Sequence, residues 1–113
     1  MATATFVQTG NVIDYTPSTA VSAGDVVVQG DLVGVAKHDI AADDLGGLAV
    51  TGVFDFPKAT GVDTALTVGT KVYWDESAGV ITDTDDTGTN KAVGKTVAAA
   101  GDNDAIVRVR LSQ

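Results

Sequence analysis

Residues 88–96 most resemble a nucleotide-binding motif, because they begin with Gly88 and end in Gly-Lys-Thr. A phosphate-binding loop has four residues between its first glycine and the Gly-Lys pair, whereas five lie here. A helix must also follow, so that its N-terminus faces the phosphate, but residues 97–100 run directly into Gly101. We therefore predict a strand that leads into a turn, and no nucleotide cofactor.

The acidic loop, residues 83–88, offers a second possible site. Its oxygen-bearing side chains alternate and its sixth residue is Gly88, as in the first half of a calcium-binding loop. The twelfth position of such a loop is a bidentate glutamate, and here it is Gly94. A solvated turn between two strands is the alternative. We predict no metal site, and weak calcium binding by the loop stays open.

A serine hydrolase would have to use His38, because it is the only histidine. The possible nucleophiles are Ser18, Ser22, Ser77 and Ser112. None of them lies in the Gly-x-Ser-x-Gly turn that exposes a catalytic serine. The chain also lacks cysteine, so thiol chemistry and thiolate metal sites are excluded. We expect no catalytic residues.

Charge and length exclude further classes of function. The 113 residues match the size of one domain, and the formal net charge is −8. A chain this acidic is a poor ligand for nucleic-acid phosphates and for anionic membranes. Its apolar runs are too short to cross a bilayer, and its first residues lack the pattern of a secretion signal. We expect a soluble cytoplasmic protein, or one assembled in the cytoplasm, with no nucleic-acid or membrane partner.

The elements that must position these residues are strands. The chain has 18 Val, 15 Thr and 13 Gly but only 5 Leu and 1 Glu, which favours β-structure with many turns over long helices. We predict an all-β fold with little helix: a small, compact β-barrel or β-clip-like domain over residues 1–113, with residues 1–8 as a possible extended N-terminal arm. No helix of three turns is expected.

Several strands can be placed by their patterns. Residues 12–15 form a short strand, and residues 48–56 alternate so clearly that we predict one strand with a bulge at Gly52. In the last strand, residues 105–111, the valines face one way and Arg108 and Arg110 the other. The pair Tyr73-Trp74 places one ring on each face of its strand.

A weak internal repeat suggests a duplicated β-unit. Residues 21–27 resemble residues 66–72, residues 32–36 match residues 92–96, and residues 47–50 match residues 104–107 in pattern only. The three matches keep one order along the chain. Such matches also arise by chance in a chain rich in glycine and valine, so both explanations stay open.

The same glycines and valines carry a resemblance to a known family. They lie in Ala23-Gly24-Asp25-Val26-Val27-Val28, in Leu32-Val33-Gly34-Val35-Ala36, in Gly46-Gly47-Leu48-Ala49-Val50-Thr51-Gly52, and in Leu66-Thr67-Val68-Gly69-Thr70-Lys71-Val72-Tyr73-Trp74-Asp75. In their order and spacing the chain is similar to the small capsid decoration (cement) proteins of tailed bacteriophages, long filed as a domain of unknown function. Members are often labelled phage recombinases, which the mis-spaced phosphate motif and the acidic charge do not fit.

The resemblance implies a structural virion protein and not an enzyme. Its partners would be the major capsid protein and itself, as a homotrimer that binds the outer surface of the capsid and stabilises it by bridging subunits. It would pass from the host cytoplasm to the capsid exterior on assembly. We expect contacts with the capsid or a neighbouring protomer at Ala2, Thr3, Ala4, Thr5, Phe6 and Val7, as an added strand, and at Trp74. A frayed terminus is the alternative for residues 2–7.

Two other functions remain as alternatives. A small surface β-domain would bind glycan through Trp74 and Tyr73, provided that their rings were exposed. A small hydrolase or nucleotide-binding enzyme would need a pocket that joins His38 to a serine and a carboxylate, or a phosphate site at Lys95.

Overall fold

Strands make up almost all regular structure in the computed structural model, which describes residues 4–5 and 10–112. The strands within these ranges are β1 (Val12–Tyr15), β2 (Val26–Gln29), β3 (Leu32–Ala36), β4 (Gly46–Ala49), β5 (Gly52–Pro57), β6 (Lys71–Asp75), β7 (Val80–Thr82), β8 (Lys91–Thr96) and β9 (Ile106–Leu111). One 3-10 turn, Asp86–Gly88, precedes β8. The predicted all-β fold is confirmed.

The strands form two antiparallel sheets. The first has the order β1-β4-β3-β2 and the second the order β5-β9-β8-β6-β7. Each sheet keeps two edge strands, so the predicted barrel does not close. The reason lies between β4 and β5, where the chain leaves one sheet and enters the other instead of continuing a shared sheet.

That crossing corrects the prediction of one strand over residues 48–56. The chain breaks at Val50 and Thr51, and Gly52 has a φ of +120°, which a side-chain-bearing residue rarely adopts. Leu48 therefore pairs in the first sheet and Phe54 in the second. Alternation alone could not reveal the break, because both parts keep the same period.

The two sheets repeat one unit, as the sequence suggested. The order β1-β4-β3-β2 corresponds to β5-β9-β8-β6, and β7 is an addition to the second unit. Two main-chain hydrogen bonds of the first unit have counterparts in the second. Val21 N donates to Ile40 O (2.9 Å) and Gly24 N to Ala36 O (2.6 Å) in the first unit. Leu66 N donates to Ala100 O (2.8 Å) and Gly69 N to Thr96 O (2.9 Å) in the second.

The third match of the repeat was out of register. Leu48 pairs with Ala36 in the first unit, and Val109 pairs with Thr96 in the second. Leu48 therefore corresponds to Val109, four residues beyond Ala105, to which the sequence pattern had matched it. Apolar residues at alternate positions allow such a slip, because shifts by two residues preserve the pattern.

One hydrophobic core joins the sheets. The first sheet contributes Val33 and Val35, with Val26 and Val28 partly buried beside them. The second contributes the inner side chains Phe56, Val72, Trp74, Ile81, Val93, Val107, Val109 and Leu111. Since one face of the second sheet points into this core, the charged and polar side chains between these residues point away from it.

Candidate docking surface

The segment that resembles a phosphate loop is a strand, as predicted. Residues 91–96 form β8, and no helix follows it in the described residues. Thr96 is buried, and its hydroxyl donates to the carbonyl of Thr67 at 2.6 Å. Lys95 points to solvent on the outer face of the sheet. Thr96 is therefore a packing residue, and Lys95 belongs to a surface and not to a loop around a phosphate.

His38 lines a cavity of about 400 Å³ beside β4. The cavity also contains the charged residues Lys37, Asp39 and Asp44, and its described lining includes no serine. Ser77 lies in the β6–β7 turn, where its hydroxyl donates to Asp75 at 2.8 Å. The structure thus does not bring His38 together with a serine in this cavity.

The acidic loop is closed by its own hydrogen bonds. The carbonyl of Asp85 accepts from the amides of Gly88 (3.0 Å) and Asn90 (2.9 Å), and the Asn90 side chain donates to Thr84 O at 3.0 Å. Within the described residues, no group of three or more histidine, cysteine, aspartate or glutamate side chains is arranged to hold a metal ion. The loop is a fixed, exposed turn that carries negative charge.

Tyr73 and Trp74 lie on opposite faces of β6, as their adjacency predicted. Trp74 is 8% exposed and packs against Phe56, with ring centroids 6.2 Å apart. Tyr73 is half-buried, and the Nζ of Lys71 lies 5.7 Å from the centre of its ring. The burial of Trp74 leaves the glycan alternative with one accessible ring. A contact role for Trp74 stays a prediction.

The predicted N-terminal contact residues are described only in part. Ala4 and Thr5 are exposed and belong to no strand. Ala2, Thr3, Phe6 and Val7 lie outside the described residues. The added strand therefore stays a prediction.

A basic strip crosses the outer face of the second sheet, and sequence reasoning missed it. We define the strip as Lys71, Lys95 and Arg110. Lys71 is the cross-strand partner of Lys95, and Lys95 is the partner of Arg110. The three side chains line a groove of about 400 Å³ whose floor includes Ala92 and Gly94. The only signal in the sequence was the outward direction of Arg110, which the structure confirms.

Among the residues that the structure describes, none forms an ion pair with the cations of the strip. The ion pairs among the described residues are Lys91 with Asp31 and Arg108 with Asp55, each at 2.9 Å. The hydrogen bond from Arg108 lowers the pKa of Asp55, and the same bond raises the pKa of Arg108. Within the described ranges, no such pair neutralises the strip. Like charges directly opposite each other destabilise a sheet, so the strip favours an anionic binding partner.

One apolar side chain borders the strip on the same face, and a second lies farther along that face. Val53, the cross-strand partner of Arg110, is 55% exposed, and Ile106, beyond the Arg108–Asp55 pair on β9, is 60% exposed. A surface that mixes arginine and apolar groups is typical of contacts between proteins. The sheet face is therefore best suited to bind an acidic protein surface.

Comparison with known proteins supports a structural role for the chain. No helix in the described part of the chain is long and apolar enough to span a membrane. A model of the family described as phage cement protein matches residues 7–111, and the chain belongs to this family. It is thus a bacteriophage structural protein associated with the capsid. No curated protein and no solved structure matches the chain significantly.

Proposed function

We propose that the protein binds the outer surface of the assembled capsid, bridges neighbouring major capsid protein subunits and stabilises the shell without catalysis. The observation that carries this proposal is the match to the cement family over residues 7–111. The net charge of −8 supports an outer position, because packaged DNA would repel so acidic a protein.

Bridging needs no reactive group. A module that touches two subunits buries surface only while both keep their places, so its binding free energy opposes their separation. Many such contacts over one lattice act together through avidity. The two-sheet unit with one shared core is a suitable rigid spacer for this role, and we propose that three copies act together as a homotrimer.

The N-terminal arm is the proposed attachment point. Residues 2–7 precede β1 and contain Thr3, Thr5, Phe6 and Val7, which favour extended structure. We propose that this segment adds a strand to a capsid subunit or to a neighbouring protomer. The exposure of Ala4 and Thr5 supports this arrangement.

The test uses capsids assembled without the cement protein. Purified protein is mixed with expanded shells, the shells are sedimented, and bound protein and the temperature of shell rupture are measured. We expect saturable binding and a higher rupture temperature. Full occupancy without any change in rupture would refute stabilisation, and no binding would refute the capsid-surface role.

A deletion of residues 2–7 tests the arm in the same assay. We expect the shortened protein to keep its thermal unfolding transition and to lose most of its affinity for shells. Replacing residues 2–7 with a glycine-serine segment of equal length is the matched control for chain length. Undiminished binding by both variants would exclude the arm as the attachment point.

A further inference from the structure

We propose that the basic strip binds the acidic loop of a second copy of this chain, in a head-to-tail contact. This inference rests on the proposed function only in that copies of the protein act together. It assigns the surfaces through which they meet.

The strip is the half of the contact that needs an anion. Lys71, Lys95 and Arg110 are exposed, adjacent and without an acidic partner among the described residues. Ala92, a small residue that lines the groove, leaves room for carboxylates between the long basic side chains. Opposed like charges within the sheet gain most from a partner that brings several carboxylates at once.

The acidic loop is the half that supplies those carboxylates. Residues 72–90 contain five acidic residues and no lysine or arginine. Asp83, Asp85 and Asp86 of this segment are exposed. Hydrogen bonds within the loop hold its backbone in place, so little conformational entropy would be lost on docking.

The two halves cannot meet within one chain. The loop enters β8 at Lys91, whose side chain is bound to Asp31 and to the carbonyl of Gly88. Lys95 lies four residues farther along the same strand, about 13 Å away at the usual rise per residue. At this separation the loop of one copy does not reach its own strip, so the loop is free to meet the strip of another copy.

A head-to-tail contact has a geometric consequence. Such a contact joins two different surfaces, so it closes into a ring when the rotation between copies allows it. Each copy then has its strip and its loop both occupied. This arrangement would account for association of a protein whose net charge otherwise makes copies repel each other.

The test measures self-association of the full chain by sedimentation velocity and by concentration-dependent NMR shifts. We expect association at low ionic strength that weakens as salt is added, because exposed charges are screened. We expect shifts in Lys95, Arg110 and Asp85 and not in β1. A monomer at millimolar concentration and low salt, with no such shifts, would overturn the inference.

Charge reversal separates the two surfaces. One variant carries Lys95→Glu with Arg110→Glu, and the other carries Asp83→Lys with Asp85→Lys; Asp86 is left unchanged because its φ is +48°. Each variant alone should lose at least tenfold in association constant. An equimolar mixture should associate again into pairs or even-numbered assemblies, since the reversed strip then meets the reversed loop and the native strip the native loop. A ring of three would still contain one contact between like variants, so the mixture is scored by association and not by recovery of a trimer. Lys37→Glu and Asp14→Lys, exposed charges near the first sheet, are the matched controls and should change little.

The outcomes remain distinct from those of the proposed function. Association that survives both reversals, or a mixture that stays monomeric, would overturn the head-to-tail contact even if capsids are bound. Neutral variants with Lys95→Gln and Arg110→Gln give a second measurement if the reversed proteins unfold. Failure of capsid binding with normal self-association would refute the capsid role alone.

Discussion

Gly94 of β8 lies directly against the main-chain carbonyl of Arg110 in β9, with no room for a Cβ between them. The pairing of β6 with β8 shifts register between Val72 and Tyr73, next to the position opposite Gly94. Such a bulge bends the strand locally. The close approach of the two backbones therefore depends on a glycine at position 94.

Substitution of Gly94 should be more damaging than substitution of its counterpart in the first unit. We expect Gly94→Ala to lower the free energy of unfolding by at least about 3 kcal/mol, because the Cβ would meet main-chain atoms that cannot move aside. Gly34→Ala should lower the free energy of unfolding by about 1 kcal/mol, since the atom nearest to the added Cβ would be the side-chain Cβ of Leu48 at 3.0 Å. Urea unfolding measures both, and equal effects would contradict the difference.

Lys58 is a buried cation held by neutral acceptors. Its Nζ donates to the carbonyls of Ala59 (2.7 Å) and Asp104 (3.2 Å) and to the hydroxyl of Thr64 (3.2 Å). We expect Lys58→Met to lower the free energy of unfolding by about 2–3 kcal/mol, because the acceptors lose a charged donor. Lys37→Met, at an exposed position, is the control. A difference below the experimental error would show that water replaces the ammonium group.

The ion pair of Asp55 with Arg108 should make the free energy of unfolding depend on pH in the acid range. The hydrogen bond from Arg108 holds the pKa of Asp55 below its ordinary value in the folded protein. The pair therefore stabilises the fold above about pH 4 and loses this effect as the pH falls through the lowered pKa. We expect Asp55→Asn to reduce stability slightly at pH 7, and the difference from the wild type to shrink toward pH 2. The urea midpoint at each pH gives the comparison, and a difference that grows in acid would contradict it.

Asp75 should titrate in the same direction for a different reason. The hydroxyl of Ser77 and the amide of Ala78 donate to its carboxylate and lower its pKa. We expect Ser77→Ala to raise the pKa of Asp75 toward the ordinary aspartate value, as followed by NMR of the side-chain carboxyl carbon. A pKa of Asp75 that is the same in both proteins would contradict the role of Ser77.

Trp74 provides a test of the shared core. Its ring packs against Phe56, so Trp74→Ala should lower the free energy of unfolding by about 3–5 kcal/mol. Tyr73→Ala, on the outer face, should cost much less. Capsid binding by Trp74→Phe, measured where the variant is fully folded, checks the predicted contact separately. A loss of affinity without a loss of stability would support it.

Local patterns were enough to predict much of the fold. The abundance of valine and threonine and the scarcity of leucine and glutamate predicted strands. The bounds of β1 were predicted without error. Alternation along β9 predicted that its valines lie inside and its arginines outside. The order of the repeated segments suggested the duplication, and two of them match because each unit needs the same turn at Gly24 and Gly69, where φ is positive.

The basic strip could not be predicted from such local patterns. Lys71, Lys95 and Arg110 lie far apart in the sequence, and each is an ordinary outward residue of its own strand. They become one strip only through the register of β6 with β8 and of β8 with β9.

The sequence by itself therefore determined the β-class and the inward and outward faces of single strands, because these follow from the chemistry of neighbouring residues, and it suggested the duplicated unit without deciding it. Only the tertiary structure decided that residues 48–56 divide between two sheets, that Trp74 is buried and that the three cations of the basic strip lie side by side. Each of those outcomes depends on which strands pair, and pairing is settled by the packing of one core from residues distant in the chain.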